Sequence, residues 1–110
     1  MTEIELLVNV KKDDNLLLTS DRAQLLKILS ETGSLLTASK VLNISYNKTW
    51  LMLEELNKGL SKPLVCKSRG GKGGGGATIT DYGQFILKEY ELIENQVRIF
   101  VNKLNTEINL

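Results

Sequence analysis

The chain has 110 residues, 42% of them hydrophobic and 25% charged, with a formal net charge of +1. This length and composition predict one folded domain and argue against disorder. The longest apolar runs fall well short of the ~20 residues that a membrane-spanning helix needs, and the N-terminus lacks the basic start of a signal peptide. The single cysteine, Cys66, excludes a disulfide framework. We therefore expect a cytoplasmic protein with no membrane association.

The positive charge is concentrated in the middle of the chain. Residues 33–80 carry seven basic and two acidic side chains, net +5. Residues 1–32 carry four basic and six acidic side chains, and residues 81–110 carry three and five, net −2 each. Because a polyanion responds to local rather than total charge, the central block favours a nucleic-acid partner. A solvated lysine-rich face is the alternative that charge alone leaves open.

The first 19 residues predict a β-hairpin. Alternate residues from Ile4 to Val10 are apolar, which is typical of a strand with one buried face. Residues 11–15 are polar and predict a turn, after which residues 16–18 form the return strand.

Three helices are predicted next, and the last two form a helix-turn-helix. Two short helices joined by a three-residue turn with an apolar residue, Ile44, are typical of that motif. On the third helix, the spacing of Trp50, Leu53 and Leu56 places all three in the core, so Trp50 is not expected to stack on bases. The residues expected to begin or end these helices are Ser20 or Asp21, Gly33, Ser34, Asn43 and Ser45.

A second hairpin is predicted directly after the helix-turn-helix, in the position called a wing. Residues 64–68 and 77–80 are its strands, with Cys66 expected to be buried, and the glycine-rich residues 69–76 form its tip. The tip formally matches a dinucleotide-binding glycine pattern, but a β-prone segment follows it instead of the required helix. We expect the wing to lie along DNA, while a flexible tip without a partner is the alternative.

The rest of the chain predicts one helix from about residue 80 to residue 108, with Thr80 or Asp81 as its cap. At 1.5 Å per residue it would be roughly 40 Å long, too long for so small a domain to cover, so a homodimer is expected. Apolar residues recur along it at alternating steps of four and three, the period of a coiled-coil seam. The residues of this expected dimer interface are Ile86, Tyr90, Ile93, Val97, Phe100 and Leu104.

Two stretches resemble a known family. Gly33-Ser34 followed by NISYNKTWLMLEELN (residues 43–57), and then RGGKGGGGATITDYGQ (residues 69–84), are similar to the DNA-binding domain of ModE-type regulators, which are molybdate-responsive transcription factors related to the LysR class. The resemblance implies a mainly α fold with small β-hairpins, a winged helix-turn-helix with a long C-terminal dimerisation helix.

The expected organisation is a single domain over residues 1–110. It comprises an N-terminal hairpin (1–19), the helix-turn-helix and wing (20–79), and the long dimerisation helix (80–108). Family members that sense molybdate carry further oxyanion-binding domains, and the sequence ends at Leu110. The resemblance therefore extends to double-stranded DNA binding and dimerisation, and molybdate sensing is not expected of these residues alone.

The resemblance also implies which side chains contact DNA. The third helix would enter the major groove with its N-terminal turn, where Asn47 suits adenine and Lys48 suits guanine or phosphate. Arg69 and Lys72 of the wing would contact the DNA backbone or minor groove. Leu51 is a further candidate, and Lys62 and Lys67 are weaker ones. The expected DNA-binding residues are Ser45, Tyr46, Asn47, Lys48, Thr49, Arg69 and Lys72.

Catalysis is not expected. The chain has no histidine, the commonest general base near neutral pH, and its acidic residues show no spacing typical of a catalytic pair or a metal site. We therefore expect no enzyme, no cofactor and no metal. The alternatives to a sequence-specific regulator are a winged-helix adaptor that binds other proteins and a non-specific nucleoid-packing protein.

Overall fold

A computed structural model describes residues 2–58, 60–68 and 76–108 of the chain. Two strands, three helices, two further strands and a long helix follow one another, which confirms the predicted mainly α fold class with small hairpins. Among the described residues, none of the helices has the length and apolar character needed to cross a membrane. The elements are β1 (Val10–Lys12), β2 (Asn15–Leu18), α1 (Ser20–Thr32), α2 (Leu35–Leu42), α3 (Tyr46–Asn57), β3 (Val65–Ser68), β4 (Gly76–Ile79) and α4 (Asp81–Glu107).

The helix boundaries follow local capping chemistry. Gly33 ends α1 in the left-handed conformation at φ 65°, where a residue without Cβ is least strained. The hydroxyls of Ser34, Ser45 and Thr80 cap α2, α3 and α4 by accepting a backbone N–H from the first turn. The prediction for the start of α1 is one residue off, because Thr19 accepts the N–H of Arg22 and is the cap.

The N-terminal hairpin is shorter than predicted. Its strands pair antiparallel around a turn at Asp13 and Asp14, both with positive φ, but residues 4–9 are not part of the strand. These residues instead lie along α4. The backbone N–H of Ile4 donates to Asn105 Oδ1 at 2.7 Å, and Tyr90 Oη donates to the carbonyl of Val8 at 2.7 Å. Ile4 and Val8 are half-buried in this position, whereas Leu6 between them is 55% exposed.

One hydrophobic core joins all the helices. Helix α1 packs against α2, α4 and β4, and α2 packs against α3. On α3, Leu53 and Leu56 are fully buried as predicted, whereas Trp50 is only half-buried and packs at the edge of the core.

The second hairpin is joined to the helix-turn-helix at its base. Strands β3 and β4 pair antiparallel from Val65 opposite Ile79 to Ser68 opposite Gly76. The N–H of Ala77 also donates to the carbonyl of Gly33 at 3.3 Å, which ties β4 to the turn between α1 and α2. The hairpin thus follows α3 directly, in the position of a wing.

Candidate nucleic-acid interface

The turn between α2 and α3 sets the orientation of α3. Asn43 adopts the left-handed conformation at φ 57° and ψ 46°, and its N–H donates to the carbonyl of Lys40. Ile44 follows, half-buried, and its N–H donates to Ser39 O at 3.1 Å. Ser45 then begins α3. A short turn between two helices, with an apolar residue in it, is what the helix-turn-helix prediction required.

The first turn of α3 presents polar side chains to solvent. Asn47 and Lys48 are both exposed. Ser45 is also exposed, and its Oγ accepts the N–H of Lys48 at 3.0 Å, so the hydroxyl retains its own hydrogen as a donor. Tyr46 is half-buried against the core. Three of the predicted DNA-binding side chains therefore lie together on one exposed turn.

Thr49 is placed differently from the expectation. Its side chain is fully buried at 0% exposure, and its hydroxyl donates to the carbonyl of Ser45 at 3.0 Å. The position lies on the inward face with Leu53, where helical spacing turns it away from solvent. Thr49 is thereby removed from the side chains that can reach DNA.

The last turns of α3 carry acidic groups paired with lysines. Glu54 Oε1 lies 3.2 Å from Lys67 Nζ, and Glu55 Oε1 lies 4.0 Å from Lys58 Nζ. The Lys67 ammonium also stands 4.2 Å from the ring centroid of Trp50. Lys67 is therefore engaged with Glu54 and Trp50 of α3, which agrees with its place among the weaker predicted candidates. Within the described segments, Lys40, Lys48 and Lys62 are exposed and form no ion pair.

The wing is described only at its base. Arg69 and Lys72, the two predicted wing contacts, lie outside the described residues. Cys66 on β3 is exposed, so the expectation that it is buried is wrong. Its neighbours in the strand explain this, because residues alternate across a strand and Val65 takes the buried side. Among the described residues, His, Cys, Asp and Glu side chains form no group of three suited to a metal ion.

Helix α4 has two apolar faces. One packs against the chain itself: Tyr90 is 1% exposed, and Ile86, Val97 and Leu104 are half-buried. Burial raises the pKa of Tyr90, and the carboxylate of Glu94 raises it further. The other face is open to solvent. Its large apolar side chains are Phe85, Leu92, Ile93, Ile99 and Phe100.

The predicted seam therefore divides between the two faces. Ile93 and Phe100 lie on the open face, while Tyr90 is taken up by the core of the same chain. The sequence analysis did not identify Phe85, Leu92 and Ile99 as interface residues. A helix with apolar residues on two sides contains more than one series with heptad spacing, and the sequence alone does not show which series is exposed.

Sequence comparison identifies relatives over most of the chain. The transcriptional regulator ModE of Haemophilus influenzae is 36% identical over 94 residues, covering 86% of this chain and 37% of that protein. ModE of Escherichia coli, named a DNA-binding transcriptional dual regulator, is 36% identical over 91 residues, covering 83% and 35%. The molybdenum transport protein ModE of Azotobacter vinelandii is 33% identical over 92 residues, covering 84% and 34%. The chain thus spans about a third of the length of the curated relatives it matches.

Structure comparison agrees with the fold. A point mutant of Lactococcus lactis ZitR matches with a TM-score of 0.66 and 20% sequence identity, covering 97% of this chain and 73% of that one. At this identity the likeness concerns the fold alone.

No family model matches the chain. Transcriptional regulation, which the names of the ModE relatives describe, is not an enzymatic role, in agreement with the prediction that this chain is not an enzyme. The resemblance found in the sequence is thereby confirmed: this chain is a homologue of the ModE-type transcriptional regulators over most of its own length and about a third of theirs.

Proposed function

We propose that this chain is a DNA-binding transcriptional regulator that reads DNA with the first turn of α3. The observation that carries the proposal is the exposure of Asn47 and Lys48 on the second helix of a helix-turn-helix. Both lie within the block of residues 33–80 that carries a net charge of +5. The homology to proteins named as transcriptional regulators supports the same function.

The side chains of this turn have distinct roles. The Asn47 amide pairs with the N6 and N7 edge of adenine in the major groove, and the Lys48 ammonium binds guanine or a phosphate. The hydroxyls of Ser45 and Tyr46 donate to phosphates, which fixes the position of the helix on the duplex. The wing adds backbone or minor-groove contacts through Arg69 and Lys72.

A homodimer formed through α4 brings two copies of α3 to one duplex. The large apolar side chains of the open face are 41–60% exposed, which favours burial against a second copy. Ile93 and Phe100 of the predicted seam lie on this face. Two recognition helices in successive major grooves would be about 34 Å apart on an approximately palindromic site.

DNA binding is tested by titrating labelled duplexes with the protein and following fluorescence anisotropy at several salt concentrations. One duplex comes from upstream of the protein's own gene, and the other is its scrambled sequence. We expect tighter binding to the first, with log affinity falling by ~0.9 per log salt for each phosphate neutralised. Equal affinity for both would contradict a sequence-specific regulator, and no binding at low salt would contradict DNA binding itself.

Two variants separate base reading from phosphate binding. Asn47→Ala should reduce the preference for the native duplex by about 5- to 150-fold, the discrimination of one bidentate contact. Lys48→Ala should weaken binding and lower the salt slope by about one. Lys88→Ala is the matched control, because Lys88 is an exposed lysine on α4, outside the helix-turn-helix. If Lys48→Ala and Lys88→Ala gave the same salt slope, the proposed docking of α3 would be wrong.

A further inference from the structure

Leu51 is a large apolar side chain on the outward face of α3. It is 61% exposed, although Thr49 and Leu53 on either side of it are fully buried. Residues four apart lie on the same face of a helix, so Leu51 stands one turn beyond Asn47 on the surface that we propose enters the major groove. Leu51 is not packed against the core, so its burial is not needed for the fold.

The charge distribution along this face changes after Leu51. Beyond it come the exposed carboxylates of Glu54 and Glu55, which are paired with Lys67 and Lys58, so this part of the face offers no excess positive charge to phosphates. Before it come Asn47 and Lys48, which carry no negative charge. Leu51 therefore lies between the polar first turn of α3 and the paired acidic residues of its last turns.

We infer that Leu51 is a specificity-determining residue that contacts the C5-methyl group of a thymine; the inference rests on the proposed function. In the major groove, thymine carries an apolar C5-methyl group that the other three bases lack. A contact with this methyl group therefore distinguishes an A·T pair from a G·C pair. Contact removes both the methyl and the leucine side chain from water. Four residues rise about 6 Å along a helix, so this thymine lies within about two base pairs of the base read by Asn47.

The test removes the methyl group from the DNA and the side chain from the protein separately. The wild-type chain first selects its preferred site from a random duplex library. Each thymine of that site is then replaced in turn by deoxyuridine, which lacks only the methyl, and Kd is measured by anisotropy. For the wild type we expect about fourfold weaker binding at one thymine near the Asn47 contact, the effect of one buried methyl group.

The Leu51→Ala variant should be insensitive to deoxyuridine at that same thymine. Leu36→Ala is the matched control, because Leu36 is another exposed leucine, on α2, and this variant should keep the wild-type response. Circular dichroism checks that both variants are folded. If the wild type showed no response at any thymine, or if Leu51→Ala kept the full response, the inference would be overturned while the proposed function stood. Failure of the wild type to bind any duplex would overturn both.

Discussion

Asn57, the last residue of α3, holds the backbone at Val65, the first residue of β3, through both halves of its side-chain amide. Oδ1 accepts the N–H of Val65 at 3.2 Å and that of Leu64 at 2.8 Å, while Nδ2 donates to the carbonyl of Val65 at 2.9 Å. A single side chain thereby joins the end of the proposed recognition helix to the start of the wing.

Replacing Asn57 with Ala should lower the free energy of unfolding by about 1–3 kcal/mol, because backbone groups at Leu64 and Val65 lose their partner. Asn57→Asp should also lose stability at neutral pH, since it keeps the acceptor for Leu64 and Val65 but places a carboxylate oxygen against the Val65 carbonyl. Urea denaturation measures both. Asn9→Ala, at an exposed asparagine, is the control and should stay within about 0.5 kcal/mol of the wild type. Equal losses for Asn57→Ala and Asn9→Ala would contradict the role of the amide.

Gly83, in the first turn of α4, should not tolerate a side chain. A Cβ there would overlap the carbonyl oxygen of Leu64 and lie 2.7 Å from Ile79 Cγ1. Helix propensity alone favours Ala over Gly by about 1 kcal/mol, so a net loss of stability in Gly83→Ala would reveal the steric overlap.

Gly33→Ala provides the comparison for Gly83→Ala. The nearest atom to an added Cβ at Gly33 is Ala77 O at 3.7 Å, which is an ordinary contact distance. The expected loss of stability is therefore only that of placing alanine in the left-handed conformation, about 1–2 kcal/mol. Thermal unfolding should therefore rank Gly83→Ala as the less stable variant. A stabilised Gly83→Ala protein would show that α4 does not approach Leu64 so closely.

Tyr90 should make stability fall at alkaline pH. Burial, and then Glu94, raise the pKa of Tyr90 above its usual value of 10.0. The unfolded chain therefore releases this proton first. The stability that this difference in the pKa of Tyr90 contributes is fully present below the pKa of the unfolded chain. It is lost as pH rises through the pKa of the folded protein. Tyr90→Phe should lose about 1 kcal/mol at neutral pH, because the Val8 carbonyl loses its donor.

The alkaline effect is measured by urea denaturation at about pH 8 and about pH 11. The loss of stability between the two should be smaller in Tyr90→Phe than in the wild type. Tyr82→Phe, which removes the hydroxyl of a half-buried tyrosine from the same helix, is the control variant. Identical pH dependence of the wild type and Tyr90→Phe would mean that Tyr90 is not the group responsible.

Phe100→Asp should separate the proposed dimer. Phe100 is 52% exposed on the open face of α4, so a charge there need not disturb the core but would be buried at the interface. Analytical ultracentrifugation should show a shift from dimer to monomer. Asn102→Asp places the same charge on the polar side of the same helix and should leave the assembly unchanged. Dissociation in both variants, or in neither, would contradict the proposed interface.

Most of the helix boundaries could be predicted because they depend on local chemistry. Ser34, Ser45 and Thr80 cap helices through hydrogen bonds within three residues of themselves, and Gly33 and Asn43 end helices through their own backbone conformation. These signals are complete in a short stretch of sequence. The positions of Asn47 and Lys48 on an exposed first turn follow directly from the Ser45 cap.

The remaining features depend on tertiary packing that no short stretch contains. The alternation in residues 4–9 is equally suited to a strand and to an extended segment lying on a helix, and α4 decides between them. The burial of Thr49 depends on how α3 is rotated against the core. The role of Asn57 was not predicted, because its partners Leu64 and Val65 lie seven and eight residues further along the chain. No short sequence pattern links an asparagine to backbone groups at that separation.

The two strands of the wing are tied to different parts of the helix-turn-helix. β3 is bound to the end of α3 through Asn57, and β4 is bound through Ala77 to Gly33, before α2. The base of the hairpin therefore cannot open without releasing contacts on both sides of the α2–α3 pair. The backbone amides of Val65 and Ala77 should consequently exchange with solvent deuterium at rates set by opening of the whole three-helix unit, which makes the hairpin base part of the same cooperative folding unit.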